Sequence, residues 1–188
     1  MDLILASASP RRRELLEHIG LSFDVIPAAG PETPPAGASA GETAAALSRA
    51  KAEEIARDHP GSVVIGADTV VEIDGAILGK PRDEADAARM LGLLSGREHR
   101  VYTGVTVIRD GKSVSRWEET KVFFRKMTER EIAAYIATGE PMDKAGAYGY
   151  QGRAGLFVEK IEGDFFNVVG LPLCRLGQML EDMGVALI

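Results

Sequence analysis

Leu3-Ile4-Leu5-Ala6-Ser7-Ala8-Ser9-Pro10-Arg11-Arg12-Arg13-Glu14-Leu15-Leu16 is the stretch from which the architecture of this chain is read. A short apolar run predicts a buried strand. Two serines, a proline and three arginines follow at once, and then an amphipathic helical pattern. Ser9 suits the N-cap and Pro10 the first helical position, where a missing N–H costs nothing. The three cations then fall in the first helical turn, where the helix dipole is already positive and acidic residues would be the stabilising choice. Hydroxyls, free backbone donors and arginines at one helix N-terminus form a site for a polyanion, most simply a phosphate chain.

Outward from this point, helix and strand signals alternate. Gly20 stops the first helix, and Leu21 to Ile26 read as a second strand. Residues 27 to 38, rich in Pro, Ala and Gly, form a loop. Ser39 and Glu42 make a capping box that opens a helix to about Asp58. Ser62 to Ile65 is a central strand, followed by Gly66-Ala67-Asp68-Thr69. Val70 to Ile73 and Ala76 to Leu78 flank the turn dipeptide Asp74-Gly75, and Arg100 to Arg109 and Lys112 to Phe124 flank Asp110-Gly111. Between them, Asp83 caps a helix to about Ser95, with Gly96 as its stop. Thr128 and Glu131 form a second capping box and open a helix to Thr138. Residues 140 to 155 are Gly-rich and irregular; Leu156 to Ile161 is a strand and Leu171 to Met183 a closing helix. Helices mixed with strands, some joined by hairpins, predict an α/β (α+β mixed) fold around a mixed sheet.

Composition narrows the function. The chain has 188 residues, 45% of them hydrophobic, enough for one domain with a proper core. Its apolar runs are too short for a bilayer, and it shows no secretion-signal pattern, so no membrane partner is expected. A single cysteine, Cys174, excludes an intramolecular disulfide, fits a reducing cytoplasm and reads as a small core residue. A net charge of −6 argues against a general nucleic-acid binder, while locally clustered cations favour a discrete anionic ligand.

Among candidate chemical groups, Asp68 is the sharpest. A carboxylate where a buried sheet ends or bends is either a metal ligand or general base, or a turn aspartate capping local amides. Glu32, in a Pro-flanked loop, is either a second carboxylate for a divalent cation or an exposed loop residue. Lys51, Lys80 and Lys144 are individually bland, but Lys80 in Gly79-Lys80-Pro81 and Lys144 beside a Gly-rich loop can reach phosphates as point charges. Lys51, in mid-helix, reads as a surface residue. In Gly146-Ala147-Tyr148-Gly149-Tyr150-Gln151-Gly152 the backbone can approach a ligand closely; the tyrosines either stack on a base or pack, and Gln151 can read an amide-like edge. The glycine spacing fits neither a dinucleotide fingerprint nor a P-loop. His18, His59 and His99 have no metal-ligand spacing and read as surface or turn residues, and no serine lies in a nucleophile elbow.

Together these segments resemble the Maf family. The resemblance rests on residues 5–16, Gly66-Ala-Asp-Thr-Val70, Gly79-Lys-Pro-Arg82, Leu94-Ser-Gly96, Asp143-Lys-Ala-Gly-Ala-Tyr-Gly-Tyr-Gln-Gly152 and Val169-Gly-Leu-Pro-Leu173, in order along essentially the whole chain. It implies a cytoplasmic nucleoside triphosphate pyrophosphatase, a single domain over residues 1–188 with two lobes around a central cleft, and an inosine-triphosphatase-like (Ham1-like) long mixed sheet flanked by helices. It also implies water attack at the α-phosphate with Mg²⁺ or Mn²⁺ and a homodimeric state. Carried onto this chain, Asp68 is the proton acceptor and a metal ligand, and Glu32 the second acidic position. Ser7, Arg12, Lys51, Lys80 and Lys144 bind the substrate phosphates. Arg11, Thr69 and Gln151 resemble the branch acting on dTTP and UTP; the 7-methyl-GTP branch tends to carry Trp, Gln and Glu there. The acidic residue often found before the family's loop glutamate is Pro31 here. The contrasting expectations are a nucleotide-sensing or septum-formation regulator without turnover, and the same enzyme acting on a modified pyrimidine or a methylated guanine.

Overall fold

The computed structural model of the chain describes residues 2–187. Its strands are β1 (Leu3–Leu5), β2 (Asp24–Val25), β3 (Val63–Ile73), β4 (Ala76–Leu78), β5 (Glu98–Arg109), β6 (Lys112–Phe124) and β7 (Val158–Glu162). The helices are α1 (Pro10–His18), α2 (Ala40–Asp58), α3 (Glu84–Leu94), α4 (Glu129–Ile136), α5 (Phe165–Val169) and α6 (Leu173–Asp182). The strands make one mixed sheet in the order β2-β1-β3-β5-β6-β7, with β4 also paired to β3. β1 runs parallel to both β2 and β3, while β4 and β7 pair antiparallel with β3 and β6.

Both Asp-Gly dipeptides turn as their chemistry dictates. Asp74 and Gly75, and likewise Asp110 and Gly111, all have positive φ, the backbone a two-residue hairpin needs to match strand twist. Both expected capping boxes are complete, at Ser39–Glu42 and Thr128–Glu131.

The chain divides into two compact units, Met1–Thr69 with Thr103–Glu118 and Gly170–Ile188, and Val70–Tyr102 with Glu119–Val169. In the first, Ile4, Ala6 and Val64 pack with Ala52 and Ile55 of α2. The helix lies unusually close to the strands. A Cβ on Gly66 would overlap the Ser48 carbonyl and come within 2.9 Å of Ala52, and one on Gly104 would overlap the Ala44 carbonyl. The second unit is centred on Leu91, Leu94, Val122 and Phe124, with the aromatic rings of Tyr135, Tyr148 and Phe157.

Several expectations are corrected here. The central strand does not end before Asp68: β3 continues unbroken to Ile73, so Asp68 lies in mid-strand and no turn needs its carboxylate. The second strand shrinks to Asp24–Val25. Leu156 stands exposed outside β7, and α5 precedes the closing helix. Cys174 is exposed and not a core residue, because Leu176, Met179 and Leu180 take the inward face of α6.

Candidate functional site

The first unit gathers most of the charged residues singled out above. Ser9 occupies the N-cap of α1 but its side chain caps nothing; its own N–H donates to Ser7 Oγ at 3.3 Å. Arg12 is buried. Its guanidinium donates to the Gly170 carbonyl at 2.8 Å, to Ser7 Oγ at 3.0 Å, to the Ala67 carbonyl at 2.9 Å and to Thr69 Oγ1 at 3.1 Å. Every one of these acceptors is neutral. Burial pulls the Arg12 pKa below its ordinary value, opposed by the negative charge of Asp68. A buried cation held by neutral oxygens stabilises an anion brought beside it.

In the same unit, two carboxylates share one ammonium. Lys51 Nζ lies 2.6 Å from Asp68 Oδ1 and 2.6 Å from Glu32 Oε1. The close seating of α2 on β3 at Gly66 lets a lysine from mid-helix reach a carboxylate in mid-strand. Lys51 is therefore not the surface residue its helical position predicts, and Glu32, though exposed, is engaged. Two carboxylates converging on one cation, with water and phosphate oxygens to complete a shell, are a donor set that suits a divalent metal. Among the described residues there is no group of three or more His, Cys, Asp or Glu that would form a closed metal site. Arg11 is half-buried and Arg13 is exposed, where it pairs with Glu17 at 3.3 Å. Thr69 Oγ1 also shares a 2.9 Å hydrogen bond with Thr103, which ties this candidate selector to the Arg12 network.

The second unit holds Lys80, Lys144 and Gln151. Lys80 is exposed after β4, and the Gly146 N–H donates to the Gly79 carbonyl at 3.1 Å, joining the two lysine-bearing loops. Gly146 has a positive φ, and a Cβ there would press on Val71 at 3.0 Å. Asp86, held charged with a pKa of about 2 chiefly by the Arg89 side chain, accepts from the Arg82 N–H and steadies the turn from its far end. Lys144 Nζ donates to the Glu140 carbonyl and to Asp143 Oδ1, both at 2.6 Å. Gln151 is exposed.

Tyr148 packs and does not present its ring to a base: it is buried, edge-on to Phe124 and His99. His99 is likewise buried, against the surface reading, and its Nε2 shares a 2.8 Å hydrogen bond with the Tyr148 hydroxyl. Burial holds its pKa down to about 4. The sequence does carry a signal for His99. In Glu98-His99-Arg100-Val101, strand alternation puts His99 on the side of Val101 and the charged residues on the other. Tyr135 and Glu140 lie in no motif, and their roles depend on the folded loops; Gly170 lies in the Val169–Leu173 motif, but only the fold shows that its carbonyl accepts from Arg12.

A model described as "Maf-like protein" matches residues 2–183. The chain belongs to the Maf family. Among its relatives, a protein of Thermococcus gammatolerans named dTTP/UTP pyrophosphatase is 55% identical over 95% of both chains. One of the same name from Bacillus pumilus is 50% identical, covering 98% of this chain and 97% of the relative. Among solved structures, the Staphylococcus aureus Ham1 protein aligns with a TM-score of 0.54 at 15% identity, over 97% of this chain and 100% of its own. That likeness bears out the Ham1-like fold. Among the described residues no helix is long and apolar enough to cross a membrane.

Proposed function

We propose that the chain is a nucleoside triphosphate pyrophosphatase that hydrolyses dTTP and UTP to the monophosphate and pyrophosphate. The observation that carries the reading is the buried Arg12 guanidinium, held by neutral oxygens, in the same unit as the carboxylates that share Lys51. The names of the relatives support the substrates. In this reading Asp68, whose Oδ1 is held by Lys51, takes the proton of the attacking water on its other oxygen. Arg12 and Ser7 bind the substrate phosphates and stabilise the charge that develops there. Lys51 orients Asp68 and serves the same phosphates. Lys80 and Lys144 keep the phosphate-binding roles their motifs imply, and Arg11, Thr69 and Gln151 those of base selection.

Asp68 and Glu32 are the residues that would hold a divalent cation, Mg²⁺ or Mn²⁺, which when bound supplies further neutralisation of phosphate charge. We further assign the protein to the cytoplasm, as one functional domain and a homodimer, on the family resemblance. Pyrophosphate released from a panel of nucleoside triphosphates, with and without divalent metal, tests the reading. Release from dTTP and UTP is expected; binding without release would replace the enzyme by a sensor, and preference for 7-methyl-GTP would move it to the other branch.

A further inference from the structure

We infer that Tyr135 and Glu140 are a positioning pair that holds the segment around Gln151 in the conformation that selects the base; this rests on the pyrophosphatase reading. The buried Tyr135 hydroxyl donates to Glu140 Oε1 at 2.9 Å and accepts from the Gly149 N–H at 3.3 Å. Glu140 Oε2 accepts from the Arg153 N–H at 3.2 Å. The main-chain amides two residues before and two residues after Gln151 are thus bonded to a single phenol–carboxylate pair. Burial pushes the Tyr135 phenol up, so it stays a protonated donor at neutral pH.

The glycines of the segment are shaped to the same pair. A Cβ on Gly152 would overlap the Glu140 carboxylate, and one on Gly149 would come within 2.6 Å of Lys144 Cε. The Lys144 ammonium bonds the main-chain carbonyl of Glu140, a contact that survives replacement of the Glu140 side chain. The pair can therefore be altered without releasing that lysine.

The chemical reason for such a clamp lies in the amide itself. A glutamine offers a donor and an acceptor in either order, so it separates uracil from cytosine only as far as its surroundings fix its approach. Holding the backbone on both sides fixes the point from which the side chain reaches out and narrows its approach before the base arrives.

The test compares wild type, Glu140→Gln and Tyr135→Phe. It measures kcat and KM for UTP and CTP, equilibrium binding of UMP and CMP by calorimetry, and the thermal midpoint. In the folded variants KM for UTP is expected to rise about tenfold with kcat within about threefold, and the preference for uracil over cytosine to fall about tenfold in turnover and in binding. Unchanged preference in both measurements overturns the proposal, as does an equal fall in kcat for both bases with KM unchanged. Should Glu140→Gln fail to fold, Tyr135→Phe, which loses a single oxygen, decides alone. A wild type that releases no pyrophosphate yet prefers UMP, with variants that lose the preference, refutes the pyrophosphatase and keeps the clamp. No preference in the wild type overturns the clamp whatever the turnover.

Discussion

The two units hold their polar residues by different means. In the first, the Lys51 ammonium is balanced by the Asp68 and Glu32 carboxylates, and the Arg12 guanidinium is buried among neutral carbonyl and hydroxyl oxygens, so that both held groups are cations. In the second, the loop carrying Lys144 and Gln151 is fastened largely by neutral buried groups, the Tyr135 phenol and the His99–Tyr148 pair, joined by the Glu140 carboxylate. The first arrangement leaves charge available for a phosphate and a proton, whereas the second fixes shape. In the proposed reading, chemistry and recognition call for different supports.

The largest break in this comparison is expected at Asp68. Asp68→Asn keeps the shape and a hydrogen bond to Lys51 but loses the base, and turnover should fall by about 10³-fold with the fold intact. Pyrophosphate release together with a denaturation curve checks it; near-normal turnover would remove Asp68 from the mechanism. Next is the neutral support in the second unit. His99 titrates near its ordinary 6.5 when unfolded and at about 4 when folded, so the unfolded state binds the extra proton between those values. Stability is therefore full above pH 6.5 and falls as pH drops, by about 3 kcal/mol at pH 4. His99→Gln, which can keep the bond to Tyr148 and does not titrate, should show a shallower loss in denaturant unfolding measured across that window. An equal loss in the variant would assign the effect to other groups.

The smallest effect sharpens the comparison in the first unit. Gly104→Ala sets a methyl group against the Ala44 carbonyl and should cost about 1–3 kcal/mol by lifting α2 from the sheet. Because Lys51 reaches Asp68 through that close seating, the KM for substrate should rise with the loss of stability. A stable variant with unchanged KM would show that α2 can shift without disturbing Lys51.

Sequence signals are reliable here where the physics is local. Asp-Gly turns and capping boxes need only neighbouring residues, and all four such features stand where their motifs predict. Ser9 takes the N-cap position for the same reason, yet its hydroxyl makes no cap and its N–H turns to Ser7 Oγ. Asp68 looks like a strand end because Gly-Ala-Asp-Thr resembles a turn; Gly66 instead serves the approach of α2. His99 and Cys174 have burials opposite to those expected, since charged neighbours mask the alternation around one and apolar neighbours mislead about the other.

Neighbouring residues alone dictate most of the elements, the hairpins and helix starts, and a cation-rich helix N-terminus suited to phosphate. These follow from dihedral preferences, capping and charge within a few residues. The tertiary structure alone decided that Lys51 joins Asp68 to Glu32, that Arg12 is held by Gly170 across most of the chain, and that Tyr135 and Glu140 bracket Gln151. Those contacts depend on how closely elements pack, and packing distance is a property of the assembled core that no local pattern encodes.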